Sequence, residues 1–145
     1  MNKYIENILD EYKYPIINSI LFSNGDMLVL RNYFIGSDYK VRVLCKSTIG
    51  SYFDYNDKNA VSNFEVPIHE ENESYSIYAG EGSWGGDGVI YVMDKVKQEF
   101  VWFLFLDNCN PFEEIVFDTS DTILACTSEV KLRIPIKDPA KISSV

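Results

Sequence analysis

The chain has a single histidine, His69, in 145 residues, and that scarcity closes off most catalytic arrangements built on an imidazole. A Ser–His–Asp or Cys–His site would have to use it. Its setting, "PIHEEN", is that of a surface residue beside acids, and no G-x-S-x-G elbow accompanies it. Cysteine is sparse as well. Cys45, Cys109 and Cys126 are an odd set without C-x-x-C spacing, which argues against a disulfide framework and a structural zinc site and for a reducing, cytoplasmic compartment. Cys45 and Cys126 fall in apolar strand-like runs where a thiol packs as a small hydrophobe, so only Cys109, in a loop, is open to reaction. Long apolar runs are also missing. The longest, Phe100 to Leu106, has 7 residues, against the roughly 20 a membrane-spanning helix needs. Glu6, Asp10 and Glu11 interrupt the N-terminal stretch where a signal peptide requires an apolar core. No membrane association is expected.

What is present is core material: 46% hydrophobic and 14% aromatic residues, enough for one domain spanning residues 1–145. The net charge of -9 is unevenly spread. Residues 1–53 carry 6 bases and 5 acids, residues 54–87 carry 1 base and 8 acids, and residues 88–145 carry 6 bases and 9 acids. The acidic excess is therefore central. It repels phosphate backbones, which disfavours direct nucleic-acid binding, and it attracts a basic partner. A solvated, solubility-promoting face gives the same pattern.

Ile5, Ile8, Leu9 and Tyr12 are spaced as one apolar stripe, which predicts a short helix over residues 2–13, ended by Pro15. Beyond it, β-branched and aromatic runs separated by turn residues predict antiparallel sheet over residues 16–136. Asn24-Gly25 suits a type I′ hairpin turn, and Val41, Val43 and Cys45 mark the dry side of a half-exposed strand. Residues 46–74 lack a sustained pattern and read as a long surface connection. "FVWFLFL" reads as a central strand covered on both faces. The fold expected is mainly β, an antiparallel sandwich or a strongly curved, barrel-like sheet with one short N-terminal α-helix.

The stretch "GEGSWGGDG", residues 80–88, contains a literal G-x-G-x-x-G. A dinucleotide fingerprint needs a helix to open after the glycines, and here "VIYVMD" follows, a strand; Glu81 would also stand inside the phosphate cradle. A kinase-type loop fails for want of H-R-D and D-F-G motifs. Its glycines are expected to allow a wide, irregular hairpin turn through positive φ angles. Asp54 to Asn59 space oxygen ligands loosely like a calcium loop but lack the central glycine and closing glutamate, and Asp107, Asn108 and Asn110 form a second oxygen-rich cluster; Asx turns are the simpler reading of both. No cofactor or metal is expected.

"GEGSWGGDGVIYVMD", "FVWFLFLDNCNPFEEI" and "LRIPIKDPAKI" together resemble small bacterial all-β immunity proteins of polymorphic toxin and contact-dependent growth inhibition systems, over residues 78–142. The resemblance implies a cytoplasmic inhibitor without turnover that binds one cognate toxin domain. Such toxins include many nucleases with basic clefts, which an acidic surface can occlude. The contact residues expected on that reading are Asp54, Tyr55, Asp57, Glu70, Glu71, Glu73, Glu81, Trp84 and Asp87. Two other readings stay open: a small-ligand or carbohydrate-binding module stacking on Trp84 and tyrosines, and a small enzyme using convergent carboxylates or His69.

Overall fold

The computed structural model describes residues 2–57, 59–83 and 85–145. The chain begins with helix α1, Lys3–Glu11, capped by the Asn2 side chain, which accepts the Tyr4 N–H at 2.9 Å. Ile5 and Ile8 form its buried stripe. Tyr12, expected to continue that stripe, instead ends the helix in the left-handed region and is half exposed. Strand β1, Lys13–Pro15, follows, then β2, Ser19–Phe22, β3, Asp26–Ile35, and β4, Asp38–Thr48.

The β2–β3 hairpin differs from the expected type I′ turn. Only Gly25 has positive φ, at 92°, and its N–H bonds the Phe22 carbonyl, giving a three-residue loop with glycine in the left-handed position. Asn24 is used differently: its Oδ1 accepts the Asp26 N–H at 2.9 Å. β4 also departs from its expected alternation, since Val43, Leu44 and Cys45 are all exposed. The ladder to β3 slips by one residue there, and β4 is the last strand of its sheet, so neither face finds full cover.

The long connection expected over residues 46–74 is mostly regular structure. Helix α2, Ile49–Tyr55, starts where the Thr48 hydroxyl accepts the Ser51 N–H, and buries Ile49 and Tyr52. Strand β5, Val61–Glu71, follows, burying Ser62 and Phe64. Polar and acidic residues on its exposed positions mask its period-two pattern in the sequence. Six further strands fall close to expectation: β6, Tyr75–Gly82; β7, Gly88–Asp94; β8, Glu99–Leu106; β9, Glu114–Thr119; β10, Thr122–Cys126; and β11, Lys131–Pro135; the two-residue β12, Ser143–Ser144, lies beyond the residues 16–136 over which sheet was expected.

The strands form two antiparallel sheets. The larger runs β1-β5-β6-β7-β8-β2-β3-β4 and the smaller β12-β11-β10-β9. The fold is mainly β, as expected, with the larger sheet curled into a half-barrel and one short N-terminal helix. On one face the sheets pack together: Ile20, Ile90 and Leu104 of the larger meet Ile123, Leu132 and Ile134 of the smaller. Trp102 closes this layer, its indole N–H donating to the Ile136 carbonyl at 2.8 Å. On the other face, Leu21, Val89, Phe103 and Phe105 are covered by Ile5 and Ile8 of α1 and Ile49 of α2. β8 therefore meets apolar neighbours on both sides, which explains its unbroken apolar run.

The curl is visible in one contact. Tyr14 on edge strand β1 stacks its ring 4.2 Å from Phe103 on β8, although β5, β6 and β7 lie between them in the sheet. Only a sheet rolled toward that face brings those rings together.

Candidate functional site

The glycine stretch owes most of its glycines to close packing, not to turn angles. β5 carries a bulge between Glu65 and Ile68, opposite Gly80. A Cβ on Gly80 would stand 2.0 Å from the Glu65 carbonyl oxygen and 2.7 Å from Pro67 Cδ. A Cβ on Gly88 would stand 2.7 Å from the Phe112 ring. Among the described residues of the stretch only Gly85, at φ 81°, has the positive angle expected there. Two strands flank the loop and no helix opens from it.

Around this hairpin the carboxylates gather. Glu65 on β5 and Glu81 on β6 are direct cross-strand partners, a like-charged pair that disfavours the ladder by a few tenths of a kcal/mol to about 1 kcal/mol. They flank a cleft of about 370 Å³ lined by Asn63, Phe64, Glu65, Glu81, Gly82 and Ser83. Farther along β5, Glu70 and Glu71 are exposed, and Glu73 is exposed in the turn to β6. Lys95 is the one lysine or arginine paired with any of these acids among the described residues, 3.5 Å from Glu71.

The eight described residues of the nine expected in contact do not form one patch. Asp54 and Tyr55 sit at the end of α2, with Tyr55 87% exposed, and Asp57 follows, its carboxylate accepting the Asn59 N–H at 2.8 Å in an Asx turn. This group lies near the start of β5. Glu70, Glu71 and Glu73 lie at its far end, roughly 30 Å away at the rise of an extended strand. Glu81 stands between. Asp87, expected on the contact surface, is only 5% exposed, because Gly82 leaves room for its carboxylate to fold inward. Trp84 lies outside the described residues.

Composition did not point to the second feature of this face, a row of rings across the concave side of the larger sheet. His69 stacks on Tyr78 at 4.6 Å, Tyr78 on Tyr91 at 4.7 Å, and Tyr91 on Phe103 at 5.7 Å, with interplanar angles of 9°, 17° and 11°. Tyr14 continues the row beyond Phe103. Phe103 and Tyr14 are fully buried and Tyr78 and Tyr91 partly so; burial pushes the Tyr91 hydroxyl up to about 12, with the Tyr78 hydroxyl adding to the effect. His69, the outer member, is exposed, its Nε2 3.8 Å from Glu71. A cross-strand reading of the sequence would have found part of this, since Tyr78 and Tyr91 are equally far from the centre of the glycine loop.

The cysteines reverse the expected order of reactivity. Cys109 is buried, because the backbone N–H groups of Cys109 and Asn110 both bond the Gly86 carbonyl and hold that loop against the core. Burial pushes its thiol up to about 12, opposed by a hydrogen bond with Tyr39 and reinforced by the carboxylates of Asp107 and Asp87. Cys45 is the exposed thiol.

A second cleft, about 460 Å³, opens between α1, α2 and β5, lined by Tyr4, Asn7, Glu11, Lys13, Phe53 and Asn59, with the Tyr4 and Phe53 rings stacked at 5.1 Å. Among the described residues no group of three or more His, Cys, Asp or Glu side chains converges as metal ligands, and no helix is long and apolar enough to cross a membrane. No family model matches the chain, and no curated protein or solved structure matches it at a significant level.

Proposed function

We propose that the protein is an immunity protein, an inhibitor that binds a cognate bacterial toxin domain, a nuclease with a basic cleft, and neutralises it by occluding that cleft with acidic surface. The observation that carries this reading is the Glu65–Glu81 pair. Two carboxylates held opposite each other at the rim of a cleft cost stability, and a cationic side chain entering between them would remove that cost. Glu70, Glu71 and Glu73 extend the same negative potential along β5, where it accelerates encounter with a basic partner.

The test is co-expression with the toxin domain encoded by the neighbouring open reading frame. Rescue of growth, with a stable complex and an association rate that falls as salt rises, is the expected result; no interaction with that domain sinks the reading. The ring-lined cleft between α1 and α2 favours a second reading, binding of a small aromatic or sugar ligand between Tyr4, Phe53 and Asn7. Saturable ligand-dependent change in the fluorescence of this cleft, without toxin rescue, would favour it.

A further inference from the structure

We propose that the concave face of the β3–β4 hairpin is a docking surface for an acidic segment of a partner protein, whose carboxylates lie between Arg31 and Arg42 and against Lys40. The inference goes beyond the toxin-binding reading and does not depend on it, since the carboxylate pair of that reading lies on β5 and β6.

The hairpin projects from the sheet. β2 pairs with β3 only as far as Ser19 opposite Val29, and the Leu30 N–H reaches the Asn18 carbonyl; past that point, among the described residues, β4 is the one strand beside β3. One face of this arm is tied down. Asn32 donates to the Asp107 carbonyl, Tyr39 is buried, and the Ser144 hydroxyl donates to the Tyr39 carbonyl at 2.5 Å. The other face is bare. By strand alternation from the buried Met27, it carries Arg31 opposite Arg42, Tyr33 opposite Lys40, and Ile35 opposite Asp38.

The Arg31–Arg42 pair points to a ligand. Like charges directly opposite each other disfavour the ladder, yet both guanidinium carbons lie over one ring, 5.1 and 5.9 Å from the Tyr33 centroid. Stacking on that ring orients the guanidinium groups and leaves their N–H donors for an acceptor. Among the described residues, neither arginine nor Lys40 makes an ion pair or a side-chain hydrogen bond, although all three are exposed on a chain of net charge -9. A carboxylate between the two guanidinium groups accepts from both and removes their repulsion.

The rows set the spacing of the partner. Tyr33–Lys40 lies one two-residue repeat from Arg31–Arg42, about 7 Å along the strands, which is also the separation of alternate side chains in an extended chain. Acids at positions i and i+2 therefore match the two basic rows. The next row carries Ile35, 57% exposed, so an apolar side chain at i+4 completes the contact. That row favours a protein segment over a nucleic-acid strand, and the negative field of the whole chain repels a phosphate backbone more than two isolated carboxylates. The same field repels a second copy, whose Glu65–Glu81 pair is the competing occupant.

The test uses the full chain, isotope-labelled, titrated at low salt with a capped pentapeptide of sequence glutamate, serine, glutamate, serine, leucine, and followed by amide shifts. Expected are saturable shifts centred on Arg31, Tyr33, Lys40 and Arg42, with affinity falling as salt rises. Arg31→Gln with Arg42→Gln weakens binding about 3- to 20-fold, and Lys40→Gln, outside the arginine pair, about 2- to 5-fold. Thermal melts verify that each variant is folded, and a peptide with glutamines for glutamates does not bind. No saturable shift, shifts centred elsewhere, an unchanged affinity in either variant, or equal binding of the glutamine peptide overturns the proposal. So does tighter binding of a single-stranded DNA pentamer at the same amides, which would give the face to nucleic acid. Concentration-dependent shifts without peptide that vanish in Glu65→Lys with Glu81→Lys would give it to a second copy and overturn the proposal as well.

Discussion

The Trp102 indole N–H and the Ile136 carbonyl, 34 residues apart, meet at 2.8 Å in the buried layer between the two sheets. Trp102 belongs to the central strand of the larger sheet, and Ile136 follows the last long strand of the smaller one. Trp102→Phe removes the donor, strands a buried carbonyl and leaves a void. The expected cost is about 2–4 kcal/mol, read as a lower denaturant midpoint with an unchanged slope.

Gly80 and Gly86 lie in the same glycine-rich stretch and should answer differently to alanine. Gly80 faces the β5 bulge, where a Cβ would overlap backbone, whereas nothing stands within 4 Å of a Cβ on Gly86. Gly80→Ala should destabilise by more than about 2 kcal/mol, while Gly86→Ala should stay within about 0.5 kcal/mol of the parent. Paired thermal melts of the two variants check this.

Thiol labelling separates the three cysteines. In the native protein at pH 8, a maleimide should modify Cys45 first and leave Cys109 intact until the chain unfolds, because Cys109 is both enclosed and held as the neutral thiol. Mass spectrometry of peptides from timed samples reads the order directly.

Alkaline pH should destabilise the fold. Cys109 rises from an ordinary 9.0 to about 12 in the folded state and Tyr91 from 10.0 to about 12, and burial raises Tyr14 and Tyr39 as well. Between pH 9 and 12 the unfolded chain has lost protons that the folded chain keeps, so stability is complete below pH 9 and falls as pH rises. Each such group contributes a slope of about 1.4 kcal/mol per pH unit inside its window. Urea midpoints measured across that range should decline steadily, and Tyr91→Phe should flatten the decline.

Glu81→Gln sets stability against binding. Removing one charge of the Glu65–Glu81 pair should stabilise the free protein by about 0.2–1 kcal/mol. The same change should slow association with a basic toxin domain at low salt. A variant that gains stability and binds at the parent rate would show that the pair takes no part in recognition.

Much of the fold was legible because period and turn chemistry agreed. β7 through β11 fall within a residue or two of apolar and β-branched runs in the sequence, β6 runs three residues past its own, and the two-sided apolar run of β8 marked a central strand. β5 and α2 were obscured because their exposed positions carry Asn, Asp and Glu, which in a linear reading look like loop. The buried partners of Phe64, Val89 and Phe103 among them, come from elsewhere in the chain. Cys109 misled for a related reason: its local sequence is a turn, and only the loop's docking on Gly86 buries it. The acids around residues 54–87 were visible as a charge excess, but their division between the ends of one long strand follows from pairing register, which composition does not contain.

The strand order also dictates a schedule. β2 forms its hairpin with β3 early, yet its other neighbour is β8, with Ser19 opposite Phe105, so the two halves of the large sheet cannot join until most of the chain has been synthesised. Asn18 and Asp107 clasp across the same junction, each supplying a donor and an acceptor to the other. Closing so long a loop is slow, and until it closes the flank of β2 that β8 will occupy is a bare apolar strand. A nascent chain paused before residue 106 would therefore carry its greatest risk of aggregation near its beginning, far from the point of synthesis.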